Sequence, residues 1–189
     1  MAPLDHEALK TVVSTLAQKL DSLGIDYAII PDPTRRTEDV DLVIHVNYLG
    51  QFGHAIPAYK LCRPGAAPLL VELEVFDFAS WPQRPQYNIQ AATRMTLNIN
   101  GQAIKLFGPE WILREKILSQ YQRQGGHKEE VDIGDISNMI PLAIAGRPEL
   151  DFNQNQELHV ALENLLQKRP DLTQTLKAKI KCSAVFETS

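Results

Sequence analysis

The order of predicted elements along the chain predicts an α+β fold: a mixed β-sheet flanked by helices, followed by a helical C-terminal part. Three observations support this prediction. Apolar residues recur at helical spacing before residue 24, β-forming stretches occupy much of residues 25–107, and the chain turns helical from Gly108 onward. We therefore expect an α/β core over residues 1–107 and a helical part over residues 108–189 that packs on it.

The first predicted helix runs from about Asp5 to Leu23. Its apolar residues recur three and four apart, and the Asp5 side chain can cap its first turn. Gly24 stands where a helix often ends in a left-handed residue. The apolar run 25–30 is then predicted to be a buried strand, which Pro31 ends.

Further strands are predicted between residues 40 and 107. Residues 40–46 form an apolar strand, and residues 69–78 alternate and are rich in β-forming side chains. Residues 95–99 and 103–107 have the same character. Because Gly101 lies between these last two segments, they predict a hairpin.

Two connections between the strands differ in character. Residues 48–59 are amphipathic and can be helical as far as Pro57, where proline interferes. The segment 81–85 contains Pro82 and Pro85, too many prolines for regular structure.

The C-terminal part is predicted to be a series of helices. Pro109 suits a first helical position, and Glu110 suits the positive end of the helix dipole. Gly125 and Gly126 end the first helix, and Pro141 bends or ends the second. The first two helices are predicted over about residues 109–124 and 128–144. A third helix after Pro148 contains Leu158, Leu162, Leu165 and Leu166, and a last one follows residues 170–171.

Bulk composition excludes several classes of function. Hydrophobic residues make up 44% of the chain, enough for a core, while a net charge of −4 argues against a general nucleic-acid-binding protein. No apolar run approaches the ~18 residues of a membrane span, and the N-terminus lacks the features of a secretory signal. Cys62 and Cys182 match no metal-binding spacing; a single bridge between them is possible, but two free thiols are favoured. We therefore expect a cytoplasmic protein with free thiols and no membrane partner; composition leaves the oligomeric state open.

A pair of carboxylates at the entry to the second strand carries the strongest chemical signal. Asp39 and Asp41 are two residues apart, so on a strand both side chains lie on one face. Two neighbouring carboxylates repel each other, and a divalent cation reverses that cost. Mg²⁺ prefers one or two carboxylates together with phosphate oxygens. The pair therefore indicates a metal platform, although Asp-x-Asp at a strand end is also common as two surface aspartates.

The wider context of this pair resembles a family signature. The apolar run 27–30, then Arg36-Thr37, then Asp39-x-Asp41 with apolar residues 42–44, resembles the nucleotidyltransferase superfamily. Members of that family have a third acidic residue between apolar neighbours on a later strand. Here Glu74, between Leu73 and Val75, fits best; Glu72 shares its face, and Asp77 points the other way.

The helical part extends the resemblance over about residues 7–145. Lys116 lies within the proline-opened helix and Arg123 near its end, and Lys128, Asp132 and Asp135 follow. This order is similar to that of small stand-alone members, namely the minimal nucleotidyltransferases and the AbiEii-like toxins. The alternative for Lys116 and Lys128 is an ordinary solvated helix face.

The resemblance implies metal-assisted transfer of a nucleoside monophosphate from an NTP to a hydroxyl or phosphate acceptor. Asp39, Asp41 and Glu74 would bind Mg²⁺ (or Mn²⁺), with Glu74 also helping to activate the acceptor. Arg36, Lys116 and Lys128 would lie near the nucleotide phosphates. The nucleotide and the acceptor, which can be a nucleotide or a small molecule, stay open.

One segment departs from the family pattern. Where the family has a glycine-rich turn and a helix, this chain has Pro31-Asp32-Pro33-Thr34 and reaches Arg36 almost at once. Glycines let backbone N–H groups approach phosphates, whereas proline has no N–H. Three interpretations of the sequence are therefore open. The protein is an active enzyme, it is a catalytically inactive binding or regulatory module, or its coding sequence has been altered at this point.

Overall fold

The computed structural model describes residues 5–31, 39–44, 58–62, 65, 67–77 and 88–187. The chain divides into two compact units, Met1–Phe107 (unit 1) and Gly108–Ser189 (unit 2). No helix within the described residues is long and apolar enough to cross a membrane.

Unit 1 begins with helix α1, His6–Ser22. The Asp5 carboxylate accepts a hydrogen bond from the Ala8 N–H at 2.7 Å, so this residue caps the first turn as predicted. Gly24, at φ +66°, adopts the left-handed conformation that the sequence predicts just after the helix. The apolar stripe of α1 is buried, with Val12 and Ala17 fully enclosed.

Six strands form one mixed sheet in the order β3-β4-β2-β1-β6-β5. Strand β2 is antiparallel to β1 and parallel to β4, while β6 is parallel to β1. The fold is therefore α+β with a mixed sheet, as predicted. The strands are β1 Tyr27–Ile29, β2 Asp39–Ile44, β3 Ala58–Leu61, β4 Leu69–Asp77, β5 Arg94–Ile99 and β6 Gln102–Phe107.

Helix α1 and one face of the sheet share the main core of unit 1. Alternate residues of β2 join this core, namely Val40, Leu42 and Ile44, and so do Val71 and Leu73 of β4. Because side chains alternate along a strand, the residues between them belong to the opposite face. The α1 helix thus determines which residues of β2 and β4 are left for the other face.

Strand β3 is absent from the sequence-based prediction. It begins at Ala58, inside the segment predicted to be amphipathic, and pairs antiparallel with β4. Its side chains do alternate, with Tyr59 and Leu61 packed on the core and Ala58 and Lys60 exposed. Four residues are too few, however, for this alternation to indicate a strand in the sequence. Residues 48–57, where a helix was expected, lie outside the described residues, as does segment 81–85.

The predicted hairpin is present as β5 and β6. A two-residue loop joins them, and its members Asn100 and Gly101 have φ of +53° and +79°. Positive φ at both positions is the mark of a type I′ turn, for which Asn-Gly is a preferred sequence. The Asn98 side chain accepts a hydrogen bond from the Gly101 N–H at 3.1 Å and supports the turn.

Unit 2 is helical, and its longest helix α2 packs against the next two long helices. Its core is apolar, with Trp111, Leu113 and Ile117 of α2 buried. Gln120 is buried with them and donates hydrogen bonds to two backbone carbonyls, of Ile117 and Ala161. The helices are α2 Pro109–Gln122, α3 His127–Met139, α4 Gln156–Lys168, α5 Thr173–Lys177 and α6 Ser183–Phe186, with single 3₁₀ turns at Pro148–Leu150 and Pro170–Leu172.

The hairpin turn gives a test of the fold. Gly101→Ala is expected to lower the free energy of unfolding of unit 1 by about 1 kcal/mol, because an L side chain is strained at a left-handed φ. The matched control is Gly134→Ala in α3, where a Cβ would meet nothing within 4 Å. That change should stabilise unit 2 by about 0.5–1 kcal/mol, since alanine favours a helix interior.

Urea denaturation of the two variants, followed by circular dichroism, measures both effects. Opposite shifts of the unfolding midpoint are expected. If Gly101→Ala left the midpoint unchanged or raised it, the type I′ turn would be wrong.

Candidate functional site

The parallel pairing of β2 with β4 places acidic residues on neighbouring strands at the same level. In the register of this pair, Asp39 faces Glu72 and Asp41 faces Glu74. Neighbouring strands lie about 4.8 Å apart. Acidic positions that are more than thirty residues apart in the sequence are therefore adjacent in the sheet.

The side chains of Asp41, Glu72 and Glu74 lie on the face of the sheet opposite α1. Leu42 and Leu73 point into the core beneath α1, so the residues that alternate with them point away from it. Glu72 and Glu74 are exposed, and Asp41 is half-buried with its Oδ1 shielded from solvent. Two of the three predicted metal ligands, Asp41 and Glu74, are thus cross-strand neighbours on one face.

The main chain at Asp41 is fixed on both sides. Its carbonyl oxygen accepts a hydrogen bond from the Ile30 N–H at 2.9 Å, just beyond the end of β1, and its other neighbour is β4. The carboxylate is therefore carried by a central strand rather than by a loop. Such a position limits how far the group can move from Glu74.

Like charges directly opposite each other on neighbouring strands destabilise a sheet. Asp41 and Glu74 form such a pair, and a bound cation would offset their repulsion. Carboxylate oxygens are the ligands that Mg²⁺ and Mn²⁺ accept most readily. The chemistry of this donor set fits a hard divalent cation.

The structure describes the other predicted site residues of unit 1 only in part. Asp39 is the first residue of β2, at the register position of Glu72, and its side chain lies outside the described part of the chain. Arg36 lies outside the described residues altogether. Among the side chains that are described, no three of His, Cys, Asp or Glu converge closely enough to hold a metal ion.

Pro31 lies two residues after the end of β1 and is partly exposed. The family's glycine-rich turn is expected at this point of the chain. A proline offers no backbone N–H to a phosphate. At this residue, therefore, the main chain cannot provide the hydrogen bond that a glycine in the same place would give.

In unit 2, Lys116 takes part in a compact ion network with α3. Its ammonium group donates to Asp132 at 3.0 Å and to Asp135 at 2.6 Å. Arg123, two turns further along α2, donates to the other oxygen of Asp132 at 3.0 Å. The side chains of Asp132 and Asp135 are only 2% and 7% exposed, so these carboxylates are neutralised where water cannot reach them easily.

Asp132 and Asp135 belong to the helical pattern of the sequence, but that pattern does not identify them as partners of Lys116. The spacing of these residues could have indicated the pairing, because the two aspartates are three apart on α3 and share a face. Lys116 and Arg123 are seven apart on α2 and share a face as well. Lys128 lies exposed in the first turn of α3. That Lys116 and Lys128 bind nucleotide phosphates stays a prediction.

Replacing Lys116 tests the network. Lys116→Met is expected to lower the free energy of unfolding of unit 2 by about 2–4 kcal/mol, because it leaves two buried carboxylates short of a positive charge. Lys128→Met is the matched control and should change stability by less than about 0.5 kcal/mol, since Lys128 is exposed. Chemical denaturation of both variants measures the two changes in the free energy of unfolding. Equal, small effects would mean that the ion network contributes nothing to stability.

Comparison with solved structures places the chain in a family. It is similar to an antigenic nucleotidyltransferase-like protein from Paracoccidioides brasiliensis, with 64% sequence identity and a TM-score of 0.88. This similarity covers 98% of the present chain and 100% of the other. The antibiotic-resistance factor ANT(2'')-Ia also matches, at 12% identity and a TM-score of 0.40 over 89% of this chain and 95% of its own.

No family model matches the chain, and no curated protein matches it. The similarity to the P. brasiliensis protein extends over both units and is far above the level at which proteins share a fold by chance. The family predicted from Asp39-x-Asp41 and its surroundings is thereby confirmed: the chain belongs to the nucleotidyltransferase-fold superfamily.

Proposed function

We propose that this protein is a metal-dependent nucleotidyltransferase, which transfers a nucleoside monophosphate from an NTP to a hydroxyl or phosphate acceptor. Asp39, Asp41 and Glu74 would bind Mg²⁺ or Mn²⁺. The observation that carries the proposal is the register of β2 and β4, which sets Asp41 directly beside Glu74 on the face away from α1. Membership of the nucleotidyltransferase-fold superfamily supports it.

The two described carboxylates suit different tasks. Asp41 is half-buried on a central strand, which favours a ligand held in one position. Glu74 is exposed and has a longer side chain, so it can reach an acceptor that arrives from solvent. A bound divalent cation would neutralise the phosphate charge and stabilise the departing pyrophosphate.

In the proposed reaction Glu74 is the general base. It accepts the proton of the acceptor hydroxyl while the hydroxyl oxygen attacks the α-phosphorus of the NTP. A new P–O bond forms, and the bond between the α-phosphorus and the bridging oxygen breaks. Pyrophosphate leaves with that electron pair, so charge and atoms balance.

Pro31 favours a second candidate, a catalytically inactive binding or regulatory module. A proline at the position of the family's glycine turn removes a phosphate-binding N–H, and Pro33 would remove another. Each lost charge-assisted hydrogen bond costs about 1.5–3 kcal/mol. Under this candidate the acidic pair would still bind a cation, but no transfer would follow.

The first prediction concerns the cation. Titration with Mn²⁺, followed by calorimetry, should show binding that Asp41→Asn weakens at least tenfold, because a carboxylate ligand is lost. Glu74→Gln should weaken it as well. The matched control is Asp21→Asn, which makes the same exchange of carboxylate for amide on α1. If Asp21→Asn weakened binding as much as Asp41→Asn, the cation would not be specific to the acidic pair.

A second prediction concerns the nucleotide. Affinity for ATP, CTP, GTP and UTP in the presence of Mg²⁺ is expected to be weaker than about 10 μM, because Pro31 and Pro33 supply no N–H to the phosphates. Calorimetry with each NTP measures it. Tighter binding would show that another segment of the chain has replaced the glycine turn.

A transfer assay separates the two candidates. With α-labelled NTPs and a mixture of small hydroxyl and phosphate acceptors, the label should pass to an acceptor, with release of pyrophosphate, at a rate that Asp41→Asn abolishes. Cation binding without any pyrophosphate release, across all four NTPs, would favour the binding module.

A further inference from the structure

Strand β5 forms one edge of the sheet. Its only strand neighbour within the described part of the chain is β6. Edge strands expose main-chain N–H and C=O groups, and natural proteins usually protect them with lysine, proline, a bulge or a covering segment. From Met95 to Ile99 the β5 sequence is Met-Thr-Leu-Asn-Ile, with no charge and no proline.

The one charged residue of β5 does not protect this edge. Arg94 donates to the Asp26 carboxylate at 2.6 Å and to the Tyr27 carbonyl at 3.3 Å, so its guanidinium is turned toward the start of β1. Burial raises the pKa of Asp26, but the hydrogen bond and charge of Arg94, together with the charge of Lys105, outweigh this effect. The pKa of Asp26 is therefore below its usual value. The pair is thus a formed ion pair within unit 1.

The type I′ turn determines which main-chain groups of β5 are directed outward. In a two-residue hairpin the residues that close the loop, Ile99 and Gln102, exchange hydrogen bonds with each other. Such pairs alternate along an antiparallel ladder, so Leu97 and Met95 also bond to β6. The N–H and C=O groups of Arg94, Thr96 and Asn98 therefore point away from β6, along the free edge.

Two exposed apolar side chains stand beside these groups. Met95 and Leu97 are both 50% exposed. In the hairpin register Leu97 lies opposite Ile104, a core residue beneath α1, so these side chains extend the α1 face of the sheet to its edge. The β5 edge thus combines outward-pointing main-chain N–H and C=O groups with an apolar strip formed by Met95 and Leu97. The one charged side chain of β5, Arg94, is paired with Asp26.

We propose that two copies of this chain pair through β5, edge to edge and antiparallel about a twofold axis at Thr96. In this register Thr96 faces its own copy and Arg94 faces Asn98 of the other chain, so every outward main-chain group finds a partner. About six main-chain hydrogen bonds result. Met95 of each copy then lies opposite Leu97 of the other, which joins the two apolar strips.

A second copy suits this edge because the strand is complementary to itself. The groups directed outward, at positions 94, 96 and 98, are symmetric about Thr96, and the apolar residues 95 and 97 are symmetric about it too. No like charges meet, since the Arg94 guanidinium is held by Asp26 within its own chain. The contact is smaller than the ~1,200 Å² of a standard interface, so the dimer should dissociate on dilution.

Analytical ultracentrifugation of the full chain tests the dimer. The wild type should pass from monomer to dimer as its concentration rises from about 1 μM to about 1 mM, the range that suits so small an interface. Leu97→Lys should shift the dissociation constant at least tenfold toward monomer, because it sets a charge in the apolar strip. The control is Leu70→Lys: Leu70 is 57% exposed but lies on β4, which has a strand on each side.

Cysteine cross-linking tests the register, in a Cys62→Ser background that removes the exposed native thiol. Thr96→Cys should form a disulfide-linked dimer on oxidation, since its two Cα atoms would lie about 5.5 Å apart. Asn98→Cys should not, because its copies would be about 13 Å apart along the strands. Circular dichroism of every variant confirms that it is folded.

Three results would overturn the proposal. The wild type could stay monomeric up to 1 mM, in which case the edge is left for another partner or for none. Leu70→Lys could weaken the dimer as much as Leu97→Lys, which would place the interface elsewhere. Asn98→Cys could cross-link as well as Thr96→Cys, which would exclude the twofold axis at Thr96.

Discussion

Strands β2 and β4 run parallel and stay in register from Asp39–Glu72 to Ile44–Asp77. Parallel strands cannot be joined by a tight turn, so this pairing brings together residues that are far apart in the sequence. The register of this pairing determines both which residues enter the core and which lie on the opposite face. Val40, Leu42 and Leu73 are directed into the core beneath α1, and Asp41 and Glu74 are directed to the other face. A slip of one residue would reverse both, burying carboxylates and exposing the core.

The two units treat clustered carboxylates in different ways. In unit 2, Asp132 and Asp135 are buried and are neutralised by Lys116, with Arg123 on the rim. In unit 1, Glu74 stays exposed beside the half-buried Asp41. Buried carboxylates need partners within the protein, whereas the exposed Glu74 is accessible to ions dissolved in the solvent. This difference explains why the acidic pair of unit 1 is the better candidate for an external cation.

Much of this arrangement could be predicted from the sequence. The helix capped by Asp5, the strand of Asp41 and the Asn-Gly hairpin each carry a local signal, and all three are present. Strand β3 alternates over only four residues, too few to be recognised in the sequence, and it pairs with β4, a tertiary contact that no local pattern records. The partners of Lys116 depend on how α2 and α3 pack, which spacing suggests but does not determine.

The family assignment of the chain rests on similarity over 98% of its length, whereas the proposed cation site rests on one pair of neighbouring carboxylates. A crystal soaked in Mn²⁺ and measured at the manganese absorption edge tests that dependence directly. We expect an anomalous peak within about 2.5 Å of carboxylate oxygens of both Asp41 and Glu74. No peak there, in crystals that bind Mn²⁺ elsewhere or not at all, would contradict it.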